Sequence, residues 1–428
     1  MGANGITLQR PGKTARHKNN FTPELKISSI VTVSTIPGMA AFFDICIHGA
    51  GIVGRSLALL LARERLRVAL VEHPKSHATP DVRAYSLNGA ARGLLEDLRC
   101  WPDAPAVTPV HEMQIFGDHG GKLHFGAADE GVGELNWMVD VPALEARLAA
   151  AVQFQPQIEV VQEPVIAPLT VVCEGRASQT RAELGIAFDV THYDQHAVAA
   201  RLHCEQPHDG IARQWFRFGT TPGLSAPQAE ILALLPLGGE GGRDLALVWS
   251  VHPARARELQ GMDADSFAHE LGSACGLALG RMQLTSERAI WPLQLARASR
   301  WVGPMPGTPG RSFALAGDAA HAMHPLAGQG LNVGLGDVAE LVRVIREKEF
   351  WRPLHDLKLL RRYERARAAD VLAMGLVTNS LQRLFAQTGS VWPQLRNWGL
   401  SGFDRSGPIK HWMTRHAMGA SPSGKTSA

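Results

Sequence analysis

Residues 42–72, FFDICIHGAGIVGRSLALLLARERLRVALVE, leave this chain little choice of fold. The β-branched and aromatic run at 43–47 reads as a buried strand. Gly49, Gly51 and Gly54 follow as G-x-G-x-x-G. Residues 53–65 read as a helix with Leu57, Leu60 and Leu61 on one face, and 67–71 as a second strand ending at Glu72. The three glycines have separate physical roles. Gly49 permits a tight turn, Gly51 lets the backbone approach a pyrophosphate, and Gly54 lets helix and strand pack closely. The helix N-terminus offers unpaired N–H groups and a positive dipole to phosphates. Glu72 stands 23 residues after Gly49, where an acid accepts hydrogen bonds from a ribose diol. A βαβ unit that binds a dinucleotide follows, although this motif alone does not choose between FAD and NAD.

A second glycine turn narrows the choice. Residues 311–316 read as a strand, ended by Gly317-Asp318. A carboxylate at a strand's C-terminal end sits where α/β folds bind ligands, within reach of a sugar or ribitol hydroxyl. Pro325 sets a turn, and Gly328, Gln329 and Gly330 lead into Leu331-Asn332, which opens an amphipathic helix to about Lys348. This second helix N-terminus also faces something electron-rich. One pyrophosphate needs one cradle. A second suits a cofactor whose other end carries negative charge, as a reduced flavin does.

Composition excludes several alternatives. The 428 residues are 45% hydrophobic and 19% charged, enough for two or three domains with large cores. No window of 18 apolar residues lacks a charge, so no transmembrane helix is expected. Residues 1–38 hold five of the Lys and Arg residues and one acid, leaving 38 basic against 39 acidic in the body, which argues against nucleic acid. That leader reads as a disordered extension, and Met39 stands just before the first strand as an alternative start. Cys46, Cys100, Cys173, Cys204 and Cys275 are scattered without CxxC spacing, as expected of a reduced cytoplasmic protein without a zinc site.

GAGIVG with Glu72, DVRAYSLNGAARGLLEDL (81–98) and LAGDAAHAMHPLAGQGLNVGLGDV (315–338) resemble the class A flavoprotein monooxygenases. Within these the chain is most similar to the aromatic hydroxylases of ubiquinone biosynthesis, with YDQHAVAARL (193–202), LALVWSV (245–251), IWPLQLA (290–296) and LRRYERARAAD (360–370) also matching. The resemblance spans about 42–418. It implies that Gly49, Gly51, Gly54 and Glu72 hold the ADP half of FAD, that Arg83 contacts FAD, and that Asp318 meets the ribitol. The backbone from Gly328 to Asn332 would then face the flavin pyrimidine edge.

The fold implied is that of para-hydroxybenzoate hydroxylase: a Rossmann-like three-layer α/β FAD domain, a β-sheet substrate domain and a helical C-terminal tail. The expected boundaries are 39–110, 138–188 and 299–348 for the FAD domain, 111–137 and 189–298 for the substrate domain, 349–418 for the helical region and 419–428 for a disordered tail. The middle is expected to carry one helix near 264–279.

The resemblance also implies the chemistry: NAD(P)H reduces FAD, oxygen adds at flavin C4a, and the hydroperoxide hydroxylates an aromatic ring of a polyprenylated phenol or quinone precursor. No side chain is nominated as catalytic. Another small aromatic substrate and a non-catalytic flavoprotein scaffold stand as alternatives. The expected location is cytoplasmic, with contact at the inner membrane and association with other quinone-biosynthesis proteins as further readings.

Two departures from the family pattern stand out. Glu174-Gly175 replaces Asp-Gly in VVCEGRASQTR (171–181), where Ser178 and Arg181 fit, and the chain between Leu148 and Cys173 is short. Val141-Pro142 replaces an Asn-Arg pair, although Asp140 and Pro142 make a good helix start. Other residues allow two readings. His321 and His324 are structural or a general base. Trp291-Pro292 line a cavity or plug a core edge. Leu372, Leu376, Leu381, Leu384 and Phe385 form a core stripe or a membrane contact. Arg361, Arg362, Arg365 and Arg367 read as a solvated face with Glu364.

Overall fold

In the computed structural model, residues 42–73, 81–117, 120–221, 223–322 and 330–386 are described, with side chains as far as 372. The expected disordered leader, the alternative start at Met39, the end of the helical tail and the Leu376–Phe385 stripe lie outside these limits.

The strands Ile45–His48, Val68–Val71, Leu169–Val172 and Ser312–Leu315 are each buried throughout. Mostly apolar runs of four, buried on both sides, suit a parallel sheet covered on both faces. They form the middle of a six-stranded sheet, edged by Ile158–Val161 and by Val302–Pro304, the one antiparallel member. Ile45 pairs with both Val68 and Leu169, and Leu169 with Ser312. This register sets His48, Val172 and Leu315 side by side, so three loops leave the same edge together. In open α/β sheets ligands bind at that edge.

The helix Ile52–Arg63 lays Leu57 and Leu61 into this core. Beside it pack Val141–Gln153 and Gly330–Arg346. The first of these starts as expected: the Asp140 side chain caps it, accepting from the Ala143 N–H, and Pro142 sits in its first turn, where no donor is needed. A small antiparallel sheet of Ala84–Leu87, Asn136–Asp140 and Val107–Val110 stands near the second.

A nine-stranded sheet makes the other half. Its long strands are Phe188–Cys204, Ile211–Gly219, Gln228–Leu237, Asp244–Val251 and Ala289–Ala298. One face buries Leu232, Leu234 and Trp249 against Phe267 and Leu271 of the covering helices. Those helices are two, Pro253–Gly261 and Ala264–Cys275, not the single helix expected. The first is polar and short, so its periodicity is faint; Pro253 and the His252 ring, which accepts from the Ala254 N–H, start it. The second stops where Gly276 turns left-handed. The long tail helix is Leu357–Ala386.

Candidate functional site

At the end of the first strand, Gly49 has φ +104°, and a Cβ there would lie 2.7 Å from the Cys173 carbonyl oxygen. A Cβ on Gly54 would sit 1.9 Å from the Gly49 carbonyl oxygen. Both positions are closed by backbone. Gly51 differs: a Cβ there meets nothing within 4 Å. It is also the N-cap of Ile52–Arg63, with no side-chain cap and no acid in the first turn. The helix dipole and its free donors therefore face open space.

Glu72, ending the second strand, receives a hydrogen bond of 2.5 Å from the buried Arg55 guanidinium and remains partly exposed to the cavity. Arg55 aims the carboxylate and leaves its remaining lone pairs open to the cavity. The third loop holds Gly317 (φ +63°) and Asp318. Asp318 opens onto the cavity, yet protein atoms crowd it, and this burial raises its carboxyl above the usual range. Arg83 is forked onto Asp81 (2.6–3.1 Å) and reaches the Tyr85 hydroxyl at 3.2 Å. It lines the cavity already paired.

Gly330 and Leu331 open the helix beneath. The Asn332 amide donates to the Ser86 carbonyl at 2.7 Å and its oxygen accepts from the Asn88 N–H at 3.0 Å. Asn332 thus braces the strand Ala84–Leu87 against the cavity wall. Pro325, Gly328, Gln329 and His324 lie outside the described residues.

Glu174 explains its own presence. It accepts from the Ser178 hydroxyl (2.7 Å), the Thr180 N–H (3.0 Å) and the Thr180 hydroxyl (2.7 Å). Burial opposes its charge, but these bonds and His48 win and lower its pKa. His48 Nδ1 meets the same Thr180 hydroxyl at 2.9 Å, directly before Gly49. The longer side chain therefore locks the loop facing the first glycine turn.

Two charged residues contradict the expected solvated face. Arg361, Arg362 and Arg365 are exposed. Arg367 instead turns inward, donating to Asp337 at 2.8 Å and to the Val333 carbonyl at 3.1 Å. Glu364 accepts the Trp301 backbone N–H at 2.7 Å. Tertiary packing selects these two from a helix face that is uniformly charged in sequence. Asp337, fully buried, also accepts from Gly317 N–H and bonds His321 Nε2 at 2.6 Å. His321 is 2% exposed and does not line the cavity, so the structural reading fits it.

Sequence reasoning missed Arg201. It donates to the Val82 and Arg83 carbonyls (both 2.8 Å) and to Asp140 at 2.6 Å. It ties the nine-stranded sheet to the cavity rim and to the cap of a helix. An Arg on a strand carries no signal of such a partner.

Gly51, Arg55, Glu72, Arg83, Asp318 and Gly330 line one cavity of about 1260 Å³. It runs from Gly51 and Glu72, past Asp318 and Gly330, to a floor on the nine-stranded sheet that includes Met113, Ala233 and Trp291. Trp291-Pro292 line the cavity, as one of their two readings had it. A cradle at Gly51 open to a bulky group, the Glu72 carboxylate and a second carboxylate at Asp318 along the same cavity fit FAD. Fold and site together define a flavoprotein of the two-sheet α/β type.

A family model described as FAD binding domain matches residues 123–377. The chain is 31% identical over 405 residues to the ubiquinone hydroxylase UbiL of Rhodospirillum rubrum, covering 88% of this chain and 89% of that one. It is 29% identical over 417 residues to the 3-demethoxyubiquinol 3-hydroxylase of Escherichia coli, covering 88% and 98%. Among solved structures, the p-nitrophenol 4-monooxygenase PnpA of Pseudomonas putida shares the fold, with a TM-score of 0.67, 16% identity and 88% and 98% coverage. This protein belongs to the FAD-binding family that the model describes.

Proposed function

We propose that this protein is an FAD-dependent monooxygenase that hydroxylates the aromatic ring of a polyprenylated phenol or quinone precursor in ubiquinone biosynthesis. The observation that carries this reading is one continuous cavity with a dinucleotide cradle at one end and an apolar floor at the other. Bound FAD, reduced by NAD(P)H, supplies the activation of O2.

The chain's own residues do the rest. Gly51 and the helix behind it receive the pyrophosphate, Glu72 the ribose, and Asp318 the ribitol. Arg83 and Tyr85 wall the cavity between its two ends. Ala233, Val248 and Trp291 present the ring and keep water from the reacting atoms. Among the described residues no helix is long and apolar enough to cross a membrane. A polyprenyl substrate brings the protein to a membrane surface instead, where other enzymes of the same pathway are its neighbours.

The test is cofactor release and turnover. The purified protein should be yellow and yield FAD on denaturation, because Glu72 has no ribose diol to grip in FMN. With NAD(P)H, O2 and an alkylated phenol it should form a hydroxylated product. Finding FMN, or no product, overturns the reading.

A further inference from the structure

The two faces of the nine-stranded sheet differ in charge. Side chains alternate along each strand. Gln214, Ile231, Ala233 and Ser250 line the cavity, while Trp215, Leu232 and Trp249 pack under the helices Pro253–Gly261 and Ala264–Cys275. By the same alternation Arg217 and Glu230, direct cross-strand partners, belong to the helix side. Glu230 is 1% exposed, behind the cavity floor. Three donors face it. Trp249 Nε1 donates to its Oε2 at 3.2 Å, Arg217 Nε stands 3.6 Å from that oxygen, and Arg255 Nε stands 3.9 Å from Oε1. Arg255 also donates to Glu258 at 2.7 Å and to Glu270 of the second helix. Gly219 makes the room, because a Cβ there would fall 2.0 Å from Glu230 Oε1.

This cluster is not closed by its own members. Glu230 Oε1, Arg255 Nε and Arg217 Nη1 are buried atoms with no hydrogen-bond partner among the described residues. Leaving such atoms unpaired is costly. Burial pushes the Glu230 carboxyl above its usual range, against the pull of Arg217, Arg255 and the Trp249 N–H.

A proton on Glu230 would not cure this. It would aim an O–H at guanidinium groups, which accept nothing, and leave Arg217 without an ion-pair partner among the described residues. A chloride would meet the Glu230 carboxylate, and a sodium ion would meet two guanidinium groups. Water fits, because it accepts from both N–H groups and donates to Oε1. Polar contacts longer than a direct hydrogen bond are where one water bridges, and three partners are typical of a buried water.

We propose that Glu230, Arg217 and Arg255 hold one internal water, and that this hydrated ion cluster fixes the cavity floor from behind. Glu230 adjoins Ile231 and Trp249 adjoins Ser250, so the cluster holds two residues that line the cavity. Glu230 itself does not line it and is a positioning residue. The site does not depend on which substrate the cavity takes.

The test is a crystal structure of the FAD-loaded wild type, together with amide hydrogen exchange. Density for one water should lie about 2.7–3.2 Å from Glu230 Oε1, Arg255 Nε and Arg217 Nη1. Glu230→Gln has the shape of the protonated acid but no charge. Exchange in Gln228–Leu237 and Asp244–Val251 should then quicken about tenfold or more, the loss of one charge-assisted hydrogen bond. Exchange in Ile45–His48 and the FAD content should not change. If the Gln variant does not fold, Arg217→Lys, which keeps the charge and lacks Nη1, should loosen the same two strands more weakly. No water density where other buried waters are seen overturns the inference. So does wild-type exchange in Glu230→Gln, the result expected if Glu230 carries a proton. Exchange that quickens equally in Ile45–His48 reports general destabilisation and overturns the positioning role.

Discussion

The Asp337 carboxylate accepts the backbone N–H of Gly317 at 2.8 Å, across twenty residues of sequence. The same carboxylate holds His321 and Arg367. Burial opposes its charge, but His321 and Arg367 overcome this and lower its pKa. The turn that carries Asp318 is therefore anchored to the helix Gly330–Arg346. Asp337→Ala strands a buried cation and a buried N–H. It should cost about 3–5 kcal/mol of stability, read by chemical denaturation. FAD affinity should fall with it, although Asp337 does not line the cavity. A variant as stable as wild type would refute the anchor.

The glycines should separate folding from binding. Gly51→Val adds a side chain where no atom lies within 4 Å, at φ −77° and ψ −173°, which a branched residue adopts easily. The apoprotein should melt like wild type and bind no FAD. Gly54→Ala drives a methyl into the Gly49 carbonyl and should lower the melting temperature of the apoprotein itself. Retention of FAD by Gly51→Val would place the pyrophosphate elsewhere.

If Asp318 meets the ribitol as proposed, Asp318→Ala should remove one charge-assisted hydrogen bond, worth on the order of 1.5–3 kcal/mol. FAD should bind roughly one to two decades more weakly, while the fold survives. Hydroxylation should become uncoupled, with peroxide released, because the ring is loosely held. Flavin titration and a peroxide assay measure both effects. Wild-type affinity with tight coupling would remove Asp318 from the ribitol.

Burial pushes the His48 imidazole below its ordinary value, against the pull of Glu174. The folded protein then binds fewer protons at this site than the unfolded chain. Stability contributed here is whole above roughly pH 6.5, the value for free histidine, and declines as pH falls toward the folded value. Asp318 and Glu230, whose carboxyls burial raises, act in the opposite sense. A difference measurement isolates His48. The stability of wild type relative to His48→Gln should shrink between pH 7.5 and 5.5. A constant difference would show that His48 is not held neutral.

The local devices were legible in the order of residues. Gly49, Gly51 and Gly54, the apolar strands and the acid at Glu72 are short-range facts of backbone sterics and periodicity, and they specify a βαβ dinucleotide turn. The Asp140 cap and the strand before Gly317 were readable for the same reason. One short element was not: the helix Pro253–Gly261 is too polar for its period to stand out from its neighbours.

Packing between distant segments set apart residues that look alike in sequence. On one arginine-rich helix Arg367 is held against Asp337 and Arg365 faces solvent, because only one is opposite a buried carboxylate. Glu174 reads in sequence as a plain exchange for Asp, and only its three donors show why the longer acid fits. Arg201, Gln214 and Ser250 alternate on strands whose partners lie far away in sequence. Strand period names two faces, but cross-strand register and the packing of whole sheets choose which face meets the cavity. That choice is a property of contacts between distant segments, and no local pattern carries it.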